Sequence, residues 1–390
     1  MTSPTTWLLL GASLTCGMAG SCAAEGLVQD KKKRQRVVKP VGGGAREHEI
    51  SADVEAATRR GLAYLARNQS KDGFWTGDVG FKVNASYRIT HENSAHPGIT
   101  GLALMAFLAC GEVPGKGRYG AAVDRAVDYL LRCTEENGFI WNNGTRMYSH
   151  AFATLALAEV YGMSTRKDVR TALERSVNLI ADSQNSEGGW RYKPFAQESD
   201  MSITVCQVMA LRAARNSGIH VPRNVIDDAV KYVRLSARAL GEQSHWRRFR
   251  SRRYGLFNTG VFKYQMRPDA RASFALTAAG VTTLYGAGIY QDPLLERGLN
   301  FMSAHFQEYN DNFQQHYFFY YGNYYAVQAF YIAGGNRWAH YRRKITAFLL
   351  SGQSSEGSWT CPTGPGKNFA TSVAVLILGI PFQYLPIFQR

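Results

Sequence analysis

The chain has 390 residues, an ordinary apolar content of 45% and a formal net charge of +15. That is enough chain to bury a large core, as one big toroidal domain or two smaller ones. The charge favours anionic partners such as phosphate groups or an acidic membrane surface, no nucleic-acid partner is expected, and no stretch beyond the N-terminus reads as a membrane-spanning helix.

The N-terminus reads as an export signal. Trp7–Ala19 is short and apolar, and Ser21-Cys-Ala-Ala24 supplies small residues for cleavage before Glu25, although no Lys or Arg precedes the apolar run. Cys22 also offers a lipoprotein-type site, so soluble and lipid-anchored products both stay open, and the expected location is periplasmic or extracellular. Residues 25–50 lack periodicity and carry Lys31-Lys-Lys-Arg-Gln-Arg36 and Gly42-Gly-Gly44, which makes them a linker.

From Ser51 onward two kinds of helical pattern alternate. Amphipathic segments begin with Val54–Leu65 and continue with Ala121–Arg132, Asp168–Asp182, Pro222–Ala237, Pro293–His305 and Arg337–Leu350. Between them lie segments that are apolar or small nearly all round: Gly98–Gly111, His150–Gly162, Asp200–Ala214, Ala270–Gly286, Tyr320–Gly334 and Asn368–Ile380. Helices of the second kind must be enclosed by other protein. Their starts fall about 50 residues apart, with one longer gap that holds an insertion, Gly241–Pro268, and its cluster Arg247, Arg248, Arg250, Arg252 and Arg253.

Three junctions share the phrase Gln-x-x-x-Gly-x-Trp: Gln69–Trp75, Gln184–Trp190 and Gln353–Trp359. The Gly permits a turn that ends a helix, the indole suits packing between units, and the amide suits a helix end. Six amphipathic helices alternating with six enclosed ones predict an all-α fold, an α/α toroid of six hairpins over residues 51–390. Every inner helix then begins at the rim where the outer helices end, and that rim carries unpaired N–H groups and partial positive charge. Cys110, Cys133, Cys206 and Cys361 show no paired metal-ligand spacing; the first two fall at opposite ends of the layer, and all four are expected as free thiols.

The turns and the two-ring alternation resemble the squalene-cyclase and prenyltransferase repeat superfamily, which includes class II terpene cyclases. That resemblance implies a toroid that cyclises a polyprenyl or triterpenoid substrate by protonation from an Asp-x-Asp-Asp motif, with no cofactor or metal. On this sequence Glu198-Ser-Asp-Met201 follows the second turn; in one register Glu198 takes the first position, Asp200 the acid's place and Met201 that of the third carboxylate, and in a register shifted by one residue Ser199 takes the acid's place and Asp200 the last. The alternative for Asp200 is a helix N-cap. His150, which begins the second inner helix, and His91 and His96, in the loop before the first, are expected at the same rim, as a general base or ligand contact or as capping or core residues. Tyr317, Tyr320, Tyr321 and Tyr324 would line a cation-stabilising wall, with Trp190 beside it, or else pack as core. The Asp-x-Cys element of zinc prenyltransferases, the thioester element of complement-type domains and the paired carboxylates of a glycosidase are not found. A non-catalytic exported toroid that binds a lipid, a peptide or an anionic polymer, in peripheral contact with a membrane, is the competing expectation.

Overall fold

The computed structural model describes residues 50–83, 86–164, 166–239 and 260–389. The segment expected to be an export signal, the basic stretch up to residue 49 and the cluster Arg247, Arg248, Arg250, Arg252 and Arg253 lie outside the described residues. Among the described residues, twelve α-helices alternate as the apolar pattern demands. The outer set is α1 (Ala52–Arg67), α3 (Gly120–Arg132), α5 (Lys167–Asp182), α7 (Arg223–Ser236), α9 (Pro293–Phe313) and α11 (Gly335–Gly352). The inner set is α2 (Pro97–Ala109), α4 (Met147–Met163), α6 (Met201–Asn216), α8 (Phe274–Gly286), α10 (Tyr317–Ala333) and α12 (Lys367–Gly379).

Burial separates the two sets. Every residue of α2 and of α8 is buried, whereas α3 buries one stripe, including Ala122, Val123, Ala126, Val127 and Leu130. The inner helices pack in sequence from α2 through α4, α6, α8 and α10 to α12, and α12 returns to α2, closing the ring. Below its far end the C-terminal residues turn inward: Leu385, Ile387 and Phe388 are buried, and the Pro386–Phe388 turn packs on α6.

The three repeated turns have one construction. Each Trp indole donates to the outer helix before it, Trp75 to Leu65 O at 2.7 Å, Trp190 to Ile180 O at 2.7 Å and Trp359 to Leu349 O at 2.8 Å. Each Gln amide bridges its own turn and the next outer helix round the ring: Gln69 to Gly73 O and Ala122 O, Gln184 to Gly188 O and Val225 O, Gln353 to Gly357 O and Ala57 O, all within 3.0 Å. The last of these ties α11 to α1 and so clasps the two ends of the ring. The glycines have positive φ (Gly73 +94°, Gly188 +84°, Gly357 +94°), and a Cβ there would lie 2.0–2.5 Å from a carbonyl oxygen of the adjoining outer helix. Both backbone conformation and space therefore require glycine.

One expectation needs correction. The stretch between α1 and α2, read as a loop holding His91 and His96, is an antiparallel hairpin of β1 (Thr76–Val83) and β2 (Ser86–Ala95), with a bulge near Asp78. The alternation Val79, Phe81, Val83 before the turn and Tyr87, Ile89 after it is a period-two signal. Cys110, Cys133, Cys206 and Cys361 are free, as expected, and among the described residues no helix is long and apolar enough to cross a membrane.

Candidate functional site at the mouth of the inner ring

A cavity of about 230 Å³ opens at the N-terminal rim of the inner ring. The first two turns of all six inner helices reach it: Ile99 and Leu102 from α2, Tyr148 and Phe152 from α4, Ser202 from α6, Leu276 from α8, Tyr317, Phe318 and Tyr321 from α10, and Phe369 from α12. The hairpin adds Val79, Phe81, Lys82 and Tyr87 on one side. Tyr192 and Tyr264, from the segments before α6 and α8, and Tyr309 and Phe313, from the end of α9, complete the aromatic wall. Twelve aromatic side chains thus face one cavity, and no Asp or Glu is among its described lining residues. Its cations are Lys82, Arg146 and Arg271. Arg271 stacks its guanidinium 4.6 Å from the Tyr264 ring, and Arg146 lies 5.8 Å from that of Phe81. Neither arginine has a carboxylate partner among the described residues.

Asp200 lies behind this wall, fully buried. Its Oδ1 accepts from Ile203 N at 2.9 Å, capping α6, and from the Ser202 hydroxyl at 2.5 Å; its Oδ2 accepts from the Tyr264 hydroxyl at 3.2 Å. The same capping position is held by His96 in α2, Ser273 in α8 and His316 in α10. Burial pushes the Asp200 carboxyl above its ordinary value, against the hydrogen bonds of Ser202 and Ile203 N–H, the Arg191 charge and Tyr264. Tyr264 in turn shares a 2.6 Å hydrogen bond with Tyr192, so two cavity-lining hydroxyls connect to the buried carboxyl. Glu198 is largely exposed, paired with Arg191 at 2.5 Å and with Gln265 at 3.2 Å, and does not touch Asp200.

His150 sits apart from the cavity, fully buried, with its ring 5.4 Å from Phe139. Its Nδ1 accepts from Ile140 N at 3.1 Å. At the three Gln/Gly/Trp turns the equivalent bond runs from the Trp N–H to an inner-helix threonine: Trp75 to Thr100, Trp190 to Thr204, Trp359 to Thr371. Thr134-x-x-x-Gly138-x-Ile140 is therefore a fourth, degenerate copy of the repeat, with His150 in the threonine's place. Gly138 keeps the positive φ of +88° and the close approach to α5. Burial lowers the imidazole to about 3 at His150 and about 4 at His96. His96, which lines the cavity and keeps some exposure there, caps α2 by accepting Ile99 N–H at 3.2 Å.

Of the tyrosines singled out, Tyr317 and Tyr321 face the cavity. Tyr320 is buried in the ring, donating to Thr360 O at 2.9 Å, and Tyr324 packs edge-on against Phe152. Trp190 is spent on its turn. Phe81, Lys82 and Tyr87 are not among the expected site residues, because the loop expected before α2 gives their side chains no facing direction and the hairpin does. Nor are Tyr192, Tyr264 and Arg271, which sit in irregular segments where no periodicity marks a facing direction.

This closed double ring with its mouth cavity defines an α/α toroid. Residues 49–250, more than half of the chain, match the prenyltransferase alpha-alpha toroid domain, and the chain belongs to that family. Solved structures that resemble it include the type II terpene cyclase MstE from Scytonema in complex with geranylgeranyl dihydroxybenzoate (11% identity, TM-score 0.54, covering 86% of this chain and 98% of that one). The GH76A α-1,6-mannanase of Salegentibacter sp. HEL1_6 in complex with α-1,6-mannotetrose is similar at 9% identity and TM-score 0.56, covering 84% and 98%. An α-amylase from Clostridium perfringens is similar at 10% identity and TM-score 0.53, covering 83% and 97%. At such identities the likeness is one of fold, a scaffold that terpene cyclases and glycosidases share. No curated protein matches the chain in sequence.

Proposed function

We propose that this toroid binds an isoprenoid-class ligand in the mouth cavity, its apolar chain among the aromatic rings and an acidic head group on Arg271 and Arg146. The observation that carries this is the lining itself: twelve aromatic side chains and two arginines without carboxylate partners, with no Asp or Glu among the described lining residues. Rings of this density bury hydrocarbon and present electron-rich faces, whereas glycoside hydrolysis needs two carboxyl groups flanking the scissile bond. An oligosaccharide is therefore the poorer fit, although mannanases share the fold. Calorimetric titration with farnesyl phosphate, farnesol and a mannotetraose tests it. The phosphate is expected to bind at least tenfold more tightly than the alcohol, with that margin lost in Arg271→Ala; binding of the mannotetraose alone would overturn the reading.

A second reading is protonation-initiated cyclisation. It is favoured by the raised Asp200 carboxyl and its link through Tyr264 to the cavity. Its difficulty is geometric, because an acid that protonates a carbon–carbon double bond must touch it, and Asp200 is engaged with Ile203, Ser202 and Tyr264. Incubation with polyprenyl substrates and product analysis decides it: cyclised product that disappears in Asp200→Asn supports the acid role, and product unaffected by that change contradicts it.

A further inference from the structure

Lys82 is the one primary amine among the described lining residues. Its Nζ lies 4.7 Å from the centre of the Phe318 ring. Burial, and then the neighbouring Arg271 charge, lower the ammonium to about 6, with Asp200 acting in the opposite direction. An amine desolvated beside a second cation is uncharged near neutrality and so nucleophilic. The Tyr317 ring is 4.4 Å from that of Phe318, and its hydroxyl is buried without a hydrogen-bond partner among the described residues. An amine and a spare O–H donor thus border the same aromatic cavity, and neither is used by the head-group assignment.

We propose that Lys82 captures an aldehyde or ketone carried by an apolar ligand, holding it as a Schiff base while the Tyr317 hydroxyl donates to the carbonyl oxygen. The Nζ lone pair adds to the carbonyl carbon, and the carbonyl π pair becomes a hydroxyl on the carbinolamine. That hydroxyl then leaves as the C=N bond forms, and the two amine hydrogens depart with the oxygen as water. Electrons balance without an oxidant or reductant, and the step is reversible. It uses the aromatic cavity but not the arginine head-group site, so a neutral aldehyde separates the two ideas.

The test is reductive trapping. The protein is treated with decanal and cyanoborohydride at pH 7, digested, and each lysine peptide is followed by mass spectrometry. Lys82 is expected to gain the decyl group about tenfold faster than exposed Lys71 and Lys344, the larger neutral fraction outweighing the lower intrinsic nucleophilicity of a weaker base. Tyr317→Phe should slow labelling at Lys82 severalfold and leave Lys71 unchanged. Lys82→Arg should remove the fast phase, and if that variant fails to fold, the ranking of rates in the unaltered protein decides. Labelling of Lys82 no faster than Lys71 and Lys344 overturns the proposal, and a Tyr317→Phe rate equal to the original removes the tyrosine's part in it.

Discussion

At five junctions an inner-helix side chain accepts a backbone N–H from the turn that precedes it: Thr100, His150, Thr204, Thr277 and Thr371. Four are threonine, and the fifth is the histidine that looked like a general base. Its burial has a pH consequence. The folded His150 resists protonation down to about pH 3, while the unfolded side chain takes up its proton near 6.5. The fold therefore loses stability as pH falls below about 6.5, by about 1.4 kcal/mol per unit from this residue. His150→Thr keeps an acceptor and removes the titration. Its stability loss between pH 7 and pH 5, measured by urea unfolding, should be smaller than the original's by about 2 kcal/mol. An unchanged loss would mean that His150 is hydrated enough to protonate in place.

At the scale of elements, the turns hold the rings together and the caps set the rim. Gly188 has a φ of +84° and would place a Cβ 2.4 Å from Asp228 O, so Gly188→Ala should cost at least about 2 kcal/mol in equilibrium unfolding. Asp200→Asn retains a side-chain oxygen for Ile203 N–H and should change stability by less than about 1 kcal/mol, whereas Asp200→Ala should cost about 1–2 kcal/mol. The helices were legible because burial marks both kinds, with a period on outer ones such as α3, which buries Ala122–Leu130 as a stripe, and an unbroken apolar run on enclosed ones such as α2. The hairpin was less legible, since its alternation spans few residues and Gly77 and Gly80 interrupt it. The cavity was least legible. Tyr317 and Tyr321 share a helix face and could be picked out, but Phe81, Tyr192 and Tyr264 meet them only when the ring closes, and no local pattern records that closure.

The described helices form a ring open at one end and closed at the other. At the closed end Glu159 of α4 is buried and receives a hydrogen bond from the Ile387 backbone; burial raises its carboxyl to about 8, against that bond and the Arg212 charge. The unfolded side chain ionises near 4.5, so this residue's contribution to stability falls as pH rises from about 4.5 to 8. Glu159→Gln should stabilise the protein at pH 8 relative to pH 5 by on the order of 3.5 kcal/mol, read from unfolding measurements at both. At the open end the central claim is that the mouth cavity is where an apolar ligand binds. Photo-crosslinking with a benzophenone-tagged farnesyl phosphate, followed by peptide mapping, tests it most directly. The account predicts adducts on Phe318, Tyr321, Phe152 or Phe369, competed away by unlabelled farnesyl phosphate; adducts confined to outer-helix surfaces such as those of α3 and α5 would contradict it.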